Sequence, residues 1–368
     1  MLNPSLLHLR CFSCSTRYRP ESWIDVCRHC GGTLRVEYDA TLPSTGSVRS
    51  LWRYDRVLPV RHRDAVSLGE GWTPLVEVAE NLWIKDEALN PTGSFKDRGM
   101  SVAVSAAAAL GAGGLTTASA GNAAESLARY GSAAGVPVLV VMPSDTPPTF
   151  VEACRKYRAK VELIPGTISE AAGWLGEHQP DGYVNLGTLR EPFRLEGKKT
   201  LAYELYEQLG GHLPDVLVFP TGGGTGIVGM WKAFSEMEQL GWTDSSRPRL
   251  VLVQSAGCAP IVRAYEAGDS ETTSWERTEA GAHGLRVPDP FGGPLCLRAL
   301  RETSGIAVAV PDAELYGAAE VLSAQTGLDI CPEGGGAWAA FEQLRDEGWI
   351  SPGEEVVVFN TGAGRKYS

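Results

Sequence analysis

The chain has 368 residues, 43% hydrophobic and 21% charged, which is ample for a large core, with two lobes and an accessory piece expected. Lys and Arg number 33 against 44 Asp and Glu, and the resulting net charge of −11 argues against a protein that coats nucleic acid and favours a soluble small-molecule enzyme. The N-terminus lacks the charged and long apolar regions of a signal peptide, and the apolar run from Val136 to Met142 is too short to span a bilayer, so a cytoplasmic location with no membrane partner is expected.

Four of the eight cysteines lie near the N-terminus, and Cys154, Cys258, Cys296 and Cys331 are scattered singly, which is not a disulfide framework. Cys11-Phe-Ser-Cys14 and Cys27-Arg-His-Cys30 are two Cys-x-x-Cys knuckles, which together offer the four thiolates of a closed tetrahedral metal site. Structural zinc suits a small ribbon best, although four thiolates also admit iron. His29 reads as a spectator. A thioredoxin-type redox pair needs a βαβ setting and a single knuckle. The ribbon, residues 1–45, reads either as a contact for nucleic acid or protein or as a stabilising appendage. Its arginines are offset by Glu21, Asp25, Glu37 and Asp39, which favours the appendage. Tyr38 to Ser47 reads as a linker.

Leu68-Gly-Glu-Gly-Trp-Thr-Pro-Leu75 is rich in turn residues, and a strand ending near Glu87 delivers the chain to Asn90-Pro-Thr-Gly-Ser-Phe-Lys-Asp-Arg-Gly99. There Pro91 and Gly93 make a turn, and a helix is predicted from Lys96 to Leu110, stopped by Gly111. Ser94 as N-cap and Asp97 three residues on approximate a capping box. Lys96 then sits in the first turn, where the helix dipole disfavours its ammonium form and a free amine becomes available for condensation with an aldehyde cofactor.

The stretch Gly114 to Ala124, which turns from a short strand into a helix from Ala123 to Tyr130, and a strand from Val136 to Met142 read as a parallel βαβ unit. Its first loop, with Ser119, Gly121 and Asn122 ahead of a helix N-terminus, is suited to a carboxylate. Arg190, Arg194, Lys198 and Lys199 form a basic run before a helix predicted from Thr200 to Leu209; such a run is commonly a solvated face. The buried strand Asp215 to Pro220 runs into Thr221-Gly-Gly-Gly-Thr-Gly226 and a helix from Ile227 to Leu240, the order of a phosphate cradle in Gly222, Gly223, Gly224, Thr225 and Gly226. No Gly-Lys-Ser/Thr follows, so it is not a Walker loop. The spelling Gly-x-Gly-x-x-Gly also fits a dinucleotide site, but the next strand ends at Gln254-Ser255 without the acidic residue that a ribose would need. Gly268 to Ala282 reads as an exposed loop or flap, and Gly284 to Gly292 as an irregular connection in which Arg286 meets either an anionic substrate or a structural carboxylate. The strand from Glu355 to Asn360 delivers the Thr361 hydroxyl at its carboxyl end.

In wording, the NPTGSFKDRG segment, LGEGWTPL, SAGNAA, the RLEGKKT run and PTGGGTGIVGMWKAF resemble the threonine synthases among fold-type II pyridoxal-phosphate enzymes, and the likeness extends from Leu68 to Lys366. The resemblance implies two α/β lobes with parallel sheets, a large one of about 46–100 and 205–368 and a small one of about 101–204, preceded by the zinc ribbon. It implies a lyase that converts O-phospho-L-homoserine and water to L-threonine and phosphate, with Lys96 bound to the cofactor and the glycine loop on the cofactor's phosphate. Asn122 would meet the cofactor's phenolic oxygen, Thr361 its ring nitrogen, and Ser119, Gly121 and Asn122 the substrate carboxylate. Arg194 would take the substrate phosphate, a task for which the guanidinium fork is fitted. Many threonine synthases carry hydroxyls where this chain has Ala120 and Ala123, so a β-replacing synthase acting on O-phosphoserine, or a serine or threonine dehydratase, remains as an alternative. The expected partner is a small amino-acid phosphate and not nucleic acid, with a homodimer left open.

Overall fold

The structure, a computed structural model, describes residues 1–39 and 47–367. It divides into two compact units, Met1–Gly71 with Lys96–Lys198 and Trp72–Phe95 with Lys199–Ser368. The boundary placed at 45 and most of the linker Tyr38 to Ser47 lie outside the described residues.

The ribbon is an antiparallel sheet of β1 (Leu6–Cys11), β2 (Arg17–Tyr18) and β3 (Leu34–Tyr38), in the order β2-β1-β3. Next come the antiparallel pair β4 (Leu75–Ala79) and β5 (Leu82–Asp86), and then α1 (Lys96–Ala109). Alternation of strand and helix follows: β6 (Gly114–Ala118), α2 (Asn122–Ala134), β7 (Val138–Pro143), α3 (Pro148–Lys156), β8 (Lys160–Ile164), α4 (Ile168–His178) and β9 (Tyr183–Asn185). These strands make the parallel sheet β8-β7-β6-β9 of the first unit. After α5 (Phe193–Gln208) come β10 (Val216–Pro220), α6 (Thr225–Gln239), β11 (Arg249–Ser255), α7 (Pro260–Glu266), α8 (Gly293–Glu302), β12 (Ile306–Val310), α9 (Asp312–Thr326), α10 (Pro332–Asp346) and β13 (Val356–Asn360). The second unit's sheet runs β12-β11-β10-β13-β5-β4, parallel except for β4.

Strands β7, β10 and β13 are buried along their whole length, as parallel strands covered by helices on both faces must be. In the first unit Leu9, Cys11, Cys27, Leu34 and Val36 of the ribbon belong to the same apolar cluster as Trp52, Met100, Val102, Val140 and Phe193. The ribbon therefore has no separate core. In the second unit Val216, Val218, Val251, Val253, Val356 and Val358 pack with Phe341 and Leu344 of α10.

One local expectation differs from the structure. Helix α5 begins at Phe193, seven residues before the predicted Thr200, because the Glu191 carboxylate accepts the N–H groups of Phe193 at 2.6 Å and Arg194 at 3.0 Å and so caps an earlier start. Ser94 lies in an antiparallel bridge with Gly362, and the Asp97 carboxylate accepts the Ser126 hydroxyl at 2.5 Å, tying α1 to α2. Among the described residues no helix is long and apolar enough to cross a membrane.

Candidate active site

In the second unit, the glycine loop is built at the carboxyl end of β10. Gly224 has φ 91 and precedes α6 without any side-chain cap. The backbone N–H groups from Gly222 to Ile227 have no backbone acceptor among the described residues, which is the condition of a helix N-terminus ready for an anion. A Cβ on Gly222 would stand 2.3 Å from the Gly284 carbonyl oxygen, on Gly224 2.4 Å from Cys296 Sγ, and on Gly226 2.3 Å from the Phe219 ring. Only glycine fits those positions. Gly223 alone in the stretch Gly222 to Gly226 is half-exposed. Loop and donors thus suit the phosphate of a cofactor.

The ring of Phe219 joins this loop to two other parts of the unit. It packs edge-on against Phe359 of β13 at 4.8 Å and against Phe95 at 5.5 Å. Phe95 also donates its N–H to the Thr361 carbonyl at 3.0 Å, Ala363 donates to Gly93, and Lys366 Nζ donates to the Thr92 carbonyl at 2.8 Å. The segment before Lys96 is therefore fastened along the chain that leaves β13, and Lys96 is the next residue in sequence. Thr361 is buried, with Oγ1 3.9 Å from Cys331 Sγ. Burial pushes the Cys331 thiol well above its ordinary range, so it stays protonated. Sequence reasoning missed Cys331, although Cys331-Pro332-Glu333 has the N-cap and proline-at-first-position wording of a helix start: Cys331 Sγ accepts the Gly334 N–H that opens α10.

In the first unit, Lys96 opens α1 and is half-buried. Ser119 and Gly121 lie in a half-buried loop at the carboxyl end of β6 and the half-buried Asn122 opens α2, which Gly121 caps with no side-chain bond, its own N–H and that of Ala123 having no backbone acceptor among the described residues. The neighbouring β9 ends at Asn185, and Leu186 continues the pairing by donating its N–H to Thr116 at 2.8 Å. Arg194 stands in the first turn of α5 and donates from Nη1 to the Leu186 carbonyl at 2.6 Å. Only 2% of Arg194 is exposed, and its Nε has no partner among the described residues. Burial lowers its pKa, opposed by Glu191. Past the exposed Arg190 the basic run is not a solvated face: Lys198 is buried, and Lys199, with which the second unit resumes, is buried and pairs with Glu236 at 2.9 Å. Sequence reasoning missed Glu191, whose position before Pro192 is a helix-start signal.

The four ribbon sulfurs of Cys11, Cys14, Cys27 and Cys30 lie within 4.8 Å of one another, with nearest approaches of 3.4 and 3.5 Å. A metal with bonds of about 2.3 Å to each sulfur needs edges of roughly 3.8 Å, so the donor set fits a tetrahedral ion.

Residues 66–362 match the family described as pyridoxal-phosphate dependent enzyme. The chain is 35% identical to the threonine synthase of Methanosarcina acetivorans over 97% of this chain and 91% of that protein, and 33% identical to that of Methanocaldococcus jannaschii over 97% and 92%. Among solved structures it resembles maize serine racemase in fold, with a TM-score of 0.66 and 21% identity over 79% of this chain and 88% of that one. A match of this length, on a chain that presents the lysine helix and the glycine cradle, shows that it belongs to the fold-type II pyridoxal-phosphate dependent enzymes as a lyase of the threonine synthase type.

Proposed function

We propose that this enzyme converts O-phospho-L-homoserine and water to L-threonine and phosphate, and that the ribbon holds structural zinc. The observation that carries the choice of a phosphorylated substrate is Arg194, a buried guanidinium anchored at the end of β9, in the same sheet whose β6 presents Ser119, Gly121 and Asn122. Pyridoxal phosphate, when bound, supplies the electron sink that acidifies protons along the substrate backbone. Gly222, Gly223, Gly224, Thr225 and Gly226 would hold its phosphate, Thr361 its ring nitrogen and Asn122 its phenolic oxygen. A hydroxyl does not protonate the ring nitrogen as a carboxylate partner would, so Thr361 tunes a mild sink. The Lys96 amine would tether the cofactor and then take and return protons at Cα, Cβ and Cγ as phosphate leaves and water adds. Ser119, Gly121 and Asn122 would orient the substrate carboxylate from the α2 N-terminus. This reading implies a cytoplasmic enzyme of amino-acid biosynthesis.

The alanines at 120 and 123 favour keeping a second reading, a β-replacing synthase acting on O-phosphoserine. A panel of O-phosphohomoserine, O-phosphoserine, threonine and serine on wild type and Arg194→Ala separates them. The expected outcome is preference for O-phosphohomoserine and a loss of about 10²-fold or more in its turnover in the variant, on the scale of a charged hydrogen bond. Preference of the wild type for O-phosphoserine would replace the first reading by the second.

A further inference from the structure

Among the described residues the ribbon meets the Arg194 segment through Thr33, Trp23 and Tyr38. Thr33 Oγ1 donates to the Leu189 carbonyl at 3.1 Å in a buried bond, the Trp23 ring lies 5.2 Å from that of Phe193, and the Tyr38 hydroxyl donates to Glu196 Oε2 at 2.9 Å. Leu189 is the unusual member of the segment, because its φ of 57 is a left-handed conformation that a leucine seldom adopts. Such a backbone persists only where its surroundings over-determine it, and the Thr33 hydroxyl is one of those restraints. The strained residue lies between Leu186, whose carbonyl takes Arg194 Nη1, and Glu191, whose carboxylate caps the helix that carries Arg194.

Thr33 is itself held by the cysteine knuckles. Its carbonyl accepts the Phe12 N–H at 3.1 Å, and the preceding Gly32 accepts the Cys27 N–H at 2.8 Å. A Cβ on Gly32 would press on Cys11 Sγ at 3.3 Å and Cys30 Sγ at 3.4 Å, so the backbone into Thr33 follows the sulfur cluster closely.

We propose that the ribbon is a positioning module for anion recognition, in which Thr33, Trp23 and Tyr38 fix the 186–196 segment and thereby set where the Arg194 guanidinium lies. These are positioning residues; none of them touches the reacting atoms. The proposal rests on the assignment of Arg194 to the substrate phosphate. It predicts that damage to the ribbon face weakens binding of the phosphorylated substrate while leaving the chemistry of the bound substrate intact.

The test uses the holoenzyme and its Thr33→Val, Thr33→Ser, Trp23→Ala and Arg194→Ala variants, with amide hydrogen exchange of residues 186–196 and steady-state kinetics on O-phosphohomoserine. Thr33→Val and Trp23→Ala are expected to speed exchange in that segment and to raise KM about three- to tenfold, with kcat within about twofold of wild type. Thr33→Ser, which keeps the hydroxyl, is expected to restore both. Unchanged exchange and KM in both damaging variants, or a fall in kcat with KM unmoved, overturns the proposal. The Arg194→Ala arm keeps two failures apart. If it raises KM while the ribbon variants change nothing, only the positioning role falls. If it leaves turnover and KM unchanged, the anion reading falls and the proposal with it, whatever the exchange rates show.

Discussion

A Cβ placed on Gly197 of α5 would stand 1.9 Å from the carbonyl oxygen of Arg98 on α1. The helix that carries Lys96 and the helix that carries Arg194 therefore touch backbone to backbone. On the facing side, a Cβ on Gly99 would stand 3.0 Å from the Arg194 carbonyl oxygen. Gly197→Ala is expected to force the two helices apart and to cost about 1–3 kcal/mol of stability by overpacking, together with most of the activity. Denaturant midpoints measure this. Gly173→Ala in α4, where a Cβ meets nothing within 4 Å, is the control and should be neutral or mildly stabilising.

Lys96→Ala is expected to abolish turnover and the near-visible absorption of the bound cofactor. Borohydride reduction followed by peptide mass mapping should place the cofactor on Lys96. Lys85 and Lys232 are poor competitors, since each is buried and engaged, Lys85 with Glu204 at 3.0 Å and Lys232 with Glu236. An adduct on either would remove Lys96 from its role.

Burial raises the Glu191 carboxyl from its ordinary 4.5 to about 7, against the pull of Arg194 and of the two N–H groups that it caps. The folded protein thus keeps a proton there that the unfolded chain has already released. Its contribution to stability is fully present below about pH 4.5, declines as pH rises from 4.5 to about 7, and is level above that. Glu191→Gln is expected to remove this slope, seen as the difference between the two proteins' urea midpoints across that range. A difference that grows toward acid pH in favour of the variant would give the shift the opposite sign.

Metal analysis is expected to return one zinc per chain, lost in a Cys27→Ser/Cys30→Ser variant. The cofactor absorption should persist in that variant, because the glycine cradle and Thr361 belong to the unit that lacks the ribbon. Loss of the absorption along with the metal would make the ribbon a condition of the cofactor-binding fold.

The elements that announce themselves in the sequence are those governed by local rules. Alternating strands and helices around Gly114 to Met142, and the glycine loop after a continuous apolar strand, were legible because chain direction and backbone access depend on neighbouring residues alone. The start of α5 was not legible, because the basic run from Arg190 to Lys199 looks like a solvated surface unless one knows that Glu191 turns back onto two N–H groups and that the helix is buried. In the sequence the glycines at 99 and 197 stand only as members of motifs, and their reason is a crossing between helices about a hundred residues apart. Leu189 offers no sequence signal at all, since nothing marks a leucine for a left-handed backbone. Its restraint comes from a threonine in the ribbon.

Strand β13 lies between β10 and β5, yet of the described strands it is the last to be made. During synthesis, β5 has no parallel neighbour until residues 356–360 emerge, while the first unit has all of its strands once Asn185 has appeared. The edge of β5 must therefore stay unpaired through most of translation, a long-range closure of the kind that slows folding and exposes a strand edge to other chains. Nascent molecules stalled before β13 would carry a finished first sheet and an open second one, which makes that stretch the step at which a chaperone would matter most.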